Sequence, residues 1–174
     1  MSYSMRAGKN ANSAILVQIP RSDFDQGHPL DGFQFQKKLE QLGYYEGFVA
    51  PAQNIKDYLN YIPSDKLVIQ TSYPRNTIMK DMHTFFSDEV NQAMEEGMKQ
   101  FDKKIHGWIE NGIMVGLETR SSSPIKILRN DNGCSSTIQG LFPCGEGAGY
   151  AGGIVSSAVD GIKQAENYIA HLNR

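Results

Sequence analysis

The chain has 174 residues, 40% hydrophobic and 21% charged, long enough to bury a real core. Its 17 Lys and Arg against 19 Asp and Glu give a formal charge of -2, which leaves no electrostatic case for nucleic acid or an anionic membrane as partner. No apolar run reaches the roughly 20 residues of a membrane span. The scattered histidines and the cysteines Cys134 and Cys144 lack metal-ligand spacing, so the expectation is a cytoplasmic protein with free thiols and no metal.

Residues 1–13 are polar and lack an apolar period, as a linker would. Ala14 to Ile19 is a short apolar run closed by Pro20 and predicts a strand. Arg21 to Pro29 predicts a loop. Leu30 to Leu42 predicts a helix, with Phe35, Leu39 and Leu42 on one face and Gly43 as its stop. Gly47 to Gln53 is extended or a turn, because Pro51 disfavours helix just before it. A short helix over Asn54 to Tyr61 follows, then a β-branched strand over Lys66 to Thr71.

Ser87 can cap a clear helix whose first turn carries Asp88 and Glu89, acids that suit the positive end of the dipole. Val90, Met94, Gly97, Phe101 and Ile105 recur at helical spacing and predict its core face. Gly112 to Leu117 and Ile125 to Leu128 predict strands, and Ser135 to Phe142 is partly extended. The last element, Gly149 to Leu172, is a long helix with Val155, Val159, Ile162, Ala165, Ile169 and Leu172 as its expected buried stripe. Strands and helices interleave without regular βαβ alternation, so the fold class is α+β.

The densest information lies in Gly140-Leu-Phe-Pro-Cys-Gly-Glu-Gly-Ala-Gly-Tyr-Ala-Gly-Gly-Ile154, where five glycines fall between Gly145 and Gly153. They stand between a short apolar strand and an amphipathic helix. A helix start leaves unpaired amides and partial positive charge, which attract an anion or an electron-rich carbonyl oxygen. Glycine removes the Cβ that would keep a ligand from those donors. Glu146 can accept hydrogen bonds from ligand hydroxyls. Gly147-Ala-Gly-Tyr-Ala-Gly152 has the GxGxxG spacing but stands near the end of the chain rather than opening a βαβ unit, and the run is not a triphosphate-binding GxxxxGK[ST]. The bland alternative is a turn whose glycines only let two elements pack closely.

The run Gly140 to Ile162 closely resembles the C-terminal motif of a family of NAD/FAD-utilising dehydrogenases in the two-dinucleotide-binding-domain flavoprotein class. Asn10 to Ala14, Pro51 to Gln53 and Glu118 to Pro124 are similar to further family segments in the same order. The resemblance implies an α+β insertion or substrate domain followed by the strand-turn-helix that completes an FAD-binding domain. The expected divisions are a linker over 1–13, a substrate domain over 14–117 and a flavin-binding return segment over 118–174.

The same resemblance implies residue roles. Gly145, Glu146 and Gly147 would lie beside the ribitol and pyrophosphate, and the amides of Gly152, Gly153 and Ile154 would face the flavin N1/O2 edge. Arg120, Thr119 and Ser121 are the substrate-side candidates, Arg120 for an anionic group. A surface arginine in a polar turn is the equal alternative. FAD is the implied cofactor, with NAD(P)H a possible electron donor. The class carries its ADP-binding GxGxxG near the start of the polypeptide, where this sequence has none, so the expected partner is an N-terminal FAD-binding part of the same polypeptide, and the piece alone is expected to be inactive. Two other readings stand beside this one. The first is a non-enzymatic recognition module using the aromatic middle (Phe33, Phe35, Tyr44, Tyr45, Phe48, Tyr58, Tyr61). The second is an anion-handling enzyme, for which a metal or a basic cluster near the turn is lacking.

Overall fold

The computed structural model describes residues 5–173, so residues 1–4 of the expected linker lie outside it. The fold is α+β. Its helices are α1 (Asp31–Leu42), α2 (Ile55–Leu59), α3 (Asp88–Lys104), α4 (Trp108–Asn111) and α5 (Ile154–Leu172). Its strands are β1 (Ala50–Asn54), β2 (Thr77–Met79) and β3 (Ile113–Val115). The chain forms two compact units. Unit 1 comprises Met1–Ile19 with Lys37–Thr119, and unit 2 comprises Pro20–Gln36 with Arg120–Arg174. The segment 20–36 thus groups with the C-terminal residues.

Unit 1 is built around a three-stranded sheet in the order β2-β1-β3. β1 runs parallel to β2, with Ala50 opposite Thr77, and antiparallel to β3, with Gln53 opposite Met114. All five residues of the central strand are buried. Pro51 is tolerated there because the ladder uses its carbonyl, which accepts from Gly116 N at 3.0 Å. The core gathers Ile55, Tyr58, Met82, Phe85, Met94 and Met98. Burial of such side chains is worth about 1.5–3 kcal/mol each, which makes this cluster the unit's main source of stability.

Two strands expected in unit 1 are not formed. In Ala14 to Ile19 the alternation is real, with Ile15 and Val17 packed on the core and Leu16 exposed, but the run finds no ladder partner. Lys66 to Thr71 fails for a more specific reason. The buried Asn54 amide donates to Lys66 O at 2.9 Å and accepts from Val68 N at 2.9 Å, so a side chain takes the bonds a neighbouring strand would need. Asn10 likewise donates to Gln70 O at 2.6 Å.

The predicted α3 is present, and its expected face holds at Val90, which packs against the core, and at Met94, which is buried, but not at its C-terminal end. Its buried residues are Asn91, Met94, Glu95 and Met98, whereas Phe101 and Ile105 are exposed. Two polar groups, Asn91 and Glu95, are buried beside Met94 and Met98 because each is hydrogen-bonded inside. Asn91 holds the Tyr58 hydroxyl, and Glu95 holds that of Tyr61. The aromatic residues of the middle divide between the two units. Tyr58 is wholly buried in unit 1, and Phe33 and Phe35 belong to unit 2, where Phe35 packs on Phe24.

Unit 2 contains no ladder among the described residues. Ile125 to Leu128, expected as a strand, makes loop bonds instead, such as Ile127 N to Ala148 O at 3.1 Å. The partly extended 135–142 segment offers only a single bridge, Ser135 with Arg129. A strand requires a neighbour to complete its hydrogen bonds, and here the expected strand-turn-helix is a loop-turn-helix.

α5 ends at Leu172 as expected but begins at Ile154, after the glycines expected to open it, and it reverses its expected orientation. Val155, Val159, Ala165, Ile162, Ile169 and Leu172 are all exposed, and Ile154 at its start is 93% exposed. Inward instead point Ser157, Asp160, Gln164 and Asn167. The physical reason is the surface it meets, which is polar: the Arg129 guanidinium and the Gly133 carbonyl.

Candidate functional site

The glycine turn spans Gly145 to Gly149 and leads through Tyr150 to Gly153 into α5. Gly149 N donates to Glu146 O at 2.9 Å and Tyr150 N to Gly145 O at 3.1 Å, which closes the turn on itself. Its glycines do different jobs. Gly149 has φ +80, and a Cβ there would collide with the Ile125 carbonyl and lie 3.0 Å from Lys126 Cα. Gly145 also has positive φ, +70. These two serve the backbone path.

Gly147 and Gly152 are different. Neither has positive φ, and a Cβ on either would meet nothing within 4 Å. Nothing among the described residues requires glycine at those positions. Both are exposed, and their amides have no partner among the described residues. The first-turn amides of Ile154 and Val155 are in the same state, as helix geometry dictates. Gly153 N is taken by the Ser156 hydroxyl at 3.1 Å, which in turn donates to Gly153 O at 3.0 Å. Gly145 N is taken by Asp160 Oδ2 at 2.8 Å. Of the six expected cofactor contacts, Gly147, Gly152 and Ile154 therefore present open donors, Gly145 and Gly153 have theirs engaged, and the Glu146 side chain is exposed on the turn.

Behind the turn lies a charged network that sequence reasoning missed. Arg129 makes a forked pair with Asp160, Nη2 to Oδ1 at 2.6 Å and Nη1 to Oδ2 at 3.0 Å. Its Nη1 also donates to Pro143 O at 2.9 Å. The guanidinium lies 3.6 Å from the centroid of the Tyr150 ring. The Tyr150 hydroxyl accepts from Arg129 N and donates to Ile127 O, both at 3.1 Å. Tyr150 thus braces the turn from behind. Hydrogen bonding to Arg129, then to the Gly145 amide, holds the Asp160 carboxyl below its ordinary value. The same pairing raises Arg129. A faint signal was available, because Asp160 is the one acid between Ile154 and Gln164.

The substrate-side candidates are less coherent. Thr119 belongs to unit 1, and its hydroxyl is buried without a partner among the described residues. Arg120 and Ser121 belong to unit 2, and the Arg120 guanidinium lies 5.7 Å from the Phe33 ring centroid. Cys144 is exposed and Cys134 buried, both free thiols. Among the described residues no group of three or more His, Cys, Asp or Glu is placed to hold a metal, and no helix is long and apolar enough to cross a membrane.

Comparison with known proteins gives two matches. A curated protein of Clostridium beijerinckii, named only as an uncharacterized protein, is 42% identical over 174 residues, covering 97% of this chain and 33% of the relative. The chain thus spans about a third of that relative's length. Residues 1–121 match the family described as FAD-dependent protein, C-terminal domain-like, while the glycine turn lies beyond the matched residues. With more than half of its length inside that match, the chain belongs to the FAD-dependent protein C-terminal domain-like family.

Proposed function

We propose that the chain supplies one wall of the flavin site of an FAD-dependent oxidoreductase, together with its substrate domain. The carrying observation is the open donor set at the glycine turn. Gly147 and Gly152 stand where no neighbour among the described residues demands glycine, beside amides that no described group satisfies. Such a cradle suits a ligand that approaches the backbone closely and carries electron-rich oxygens.

When bound, FAD would supply hydride transfer between a reduced substrate or nicotinamide and an acceptor. The contribution of this chain is electrostatic and positional. The amides of Ile154 and Val155 begin α5 and that of Gly152 lies just before it, where the helix dipole favours negative charge and hence the reduced flavin. Gly147 and Glu146 would flank the ribitol and phosphates, with the carboxylate accepting from hydroxyls. Arg120 is the candidate for an anionic group on the substrate. The exposed apolar stripe of α5 supports the reading too, since a return helix would lay that face on the remainder of a larger flavoprotein.

The test is to purify the complete polypeptide that contains these residues and record its visible spectrum. Flavin absorbance in the wild type, lost in folded Gly152→Val, is the expected result. A colourless, folded wild-type protein that takes up no added FAD overturns the proposal.

A further inference from the structure

The Arg129 guanidinium touches three stretches of chain at once. It bonds Pro143 before the glycine turn, stacks on Tyr150 after it, and pairs with Asp160 in the second turn of α5. Asp160 then reaches back to the Gly145 amide that opens the turn. Both side chains of the ion pair are mostly shielded, 17% and 13% exposed. A forked, shielded pair is directional in a way a lysine contact is not. The network fixes how far the turn stands from the start of α5, two places with open amides.

We propose that Arg129 and Asp160, braced by Tyr150, form a positioning latch that sets the spacing between the glycine turn and the first turn of α5, and that flavin affinity depends on this spacing. The proposal rests on the flavin reading above. Arg129 and Asp160 are positioning residues, since their groups face each other and the turn from behind. Asp160 also spends the Gly145 amide internally, which leaves Gly147, Gly152 and Ile154 as the working donors.

The experiment compares wild type, Asp160→Asn, Arg129→Lys and Tyr150→Phe in the complete FAD-binding polypeptide. Three quantities are read: thermal midpoint, hydrogen exchange of the Gly145 amide, and FAD affinity by flavin fluorescence at a temperature where every variant is folded. Asp160→Asn is expected to speed Gly145 exchange and weaken FAD by about tenfold or more, the scale of a lost charge-assisted contact. Arg129→Lys keeps the charge but loses the fork, and it is expected to fail to restore affinity. Should Asp160→Asn not fold, Arg129→Lys and Tyr150→Phe carry the same comparison. Faster Gly145 exchange with unchanged FAD affinity overturns the latch. So does unchanged exchange. A wild type that binds no FAD sinks the flavin reading itself, a result separable from both because the exchange data need no cofactor.

Discussion

The imidazole of His83 lies flat on the ring of Tyr58, centroids 3.9 Å apart and planes 11° from parallel. Tyr61 covers its other face at 4.3 Å. The Tyr58 hydroxyl donates to Asn91 Oδ1 at 2.9 Å, and the Asn91 amide donates to His83 O at 3.0 Å. This closed arrangement ties α2, the turn Met82–Phe85 and α3 together by polar groups inside an apolar core. Removing one partner leaves another orphaned, which costs about 1–3 kcal/mol in a buried site. Tyr58→Phe is therefore expected to lower unit 1 stability by about that amount, through the unsatisfied Asn91 oxygen. Chemical denaturation measures it, and an unshifted midpoint would show that water satisfies Asn91 instead.

Glu95 gives unit 1 an acid-sensitive contact. Burial alone would raise its carboxyl, but the Tyr61 hydroxyl at 2.5 Å, the His83 ring and Lys99 together hold it below its ordinary value. A carboxylate depressed in the folded state stabilises above its unfolded pKa, and that stabilisation is lost as pH falls through the folded pKa. Unit 1 should weaken as pH drops below about 4.5, the ordinary value for this side chain. In Glu95→Gln that part of the pH dependence should vanish. Parallel thermal melts from neutral to acid pH would decide it, with identical wild-type and variant slopes counting against the contact.

The glycines of the turn divide cleanly into two kinds of prediction. Gly149→Ala forces positive φ on an L-residue and drives a methyl into the Ile125 carbonyl. Strain of this kind costs about 1–3 kcal/mol even before the collision is counted. Gly152→Ala meets open space, and a small stability change of about 0.5 kcal/mol or less is expected of such a surface site. FAD affinity should nevertheless fall in Gly152→Ala if the amide is approached by the cofactor. Melting curves and flavin binding on the two variants separate a backbone role from a ligand role, and a Gly152→Ala protein with wild-type FAD affinity removes that residue from the site.

How much of this was legible follows from what each signal depends on. α1, α2, α3, β3 and α5 were predicted because local patterning and turn residues specify them. Strands at 14–19, 66–71 and 125–128 were not formed, since a strand is made by its neighbours and sequence does not display them. Asn54, which claims the backbone of Lys66 and Val68, cannot be recognised as a competitor from its position alone. Pro51 obscured β1, the most buried strand, because proline is unusual in the centre of a sheet. At the site, the glycines were visible as composition. The latch was not, because Arg129 and Asp160 are 31 residues apart and meet only through the turn.

The outward stripe of α5 leads to the last prediction. Val159 and Ile162 are 46% and 62% exposed, so the isolated chain offers water a continuous apolar helix face. Patches of this sort promote association and bind apolar dyes. Val159→Lys with Ile162→Lys should leave far-UV circular dichroism and the melting midpoint of the isolated chain close to wild type, while dye binding and self-association fall. On the proposed flavoprotein reading, the same pair should instead weaken folding and flavin retention in the complete polypeptide, where the face would have a surface to cover. The contrast between the two settings is the informative part. If the double substitution unfolded the isolated chain, the stripe would already be packed within it, and the helix could not be waiting for the rest of a flavoprotein.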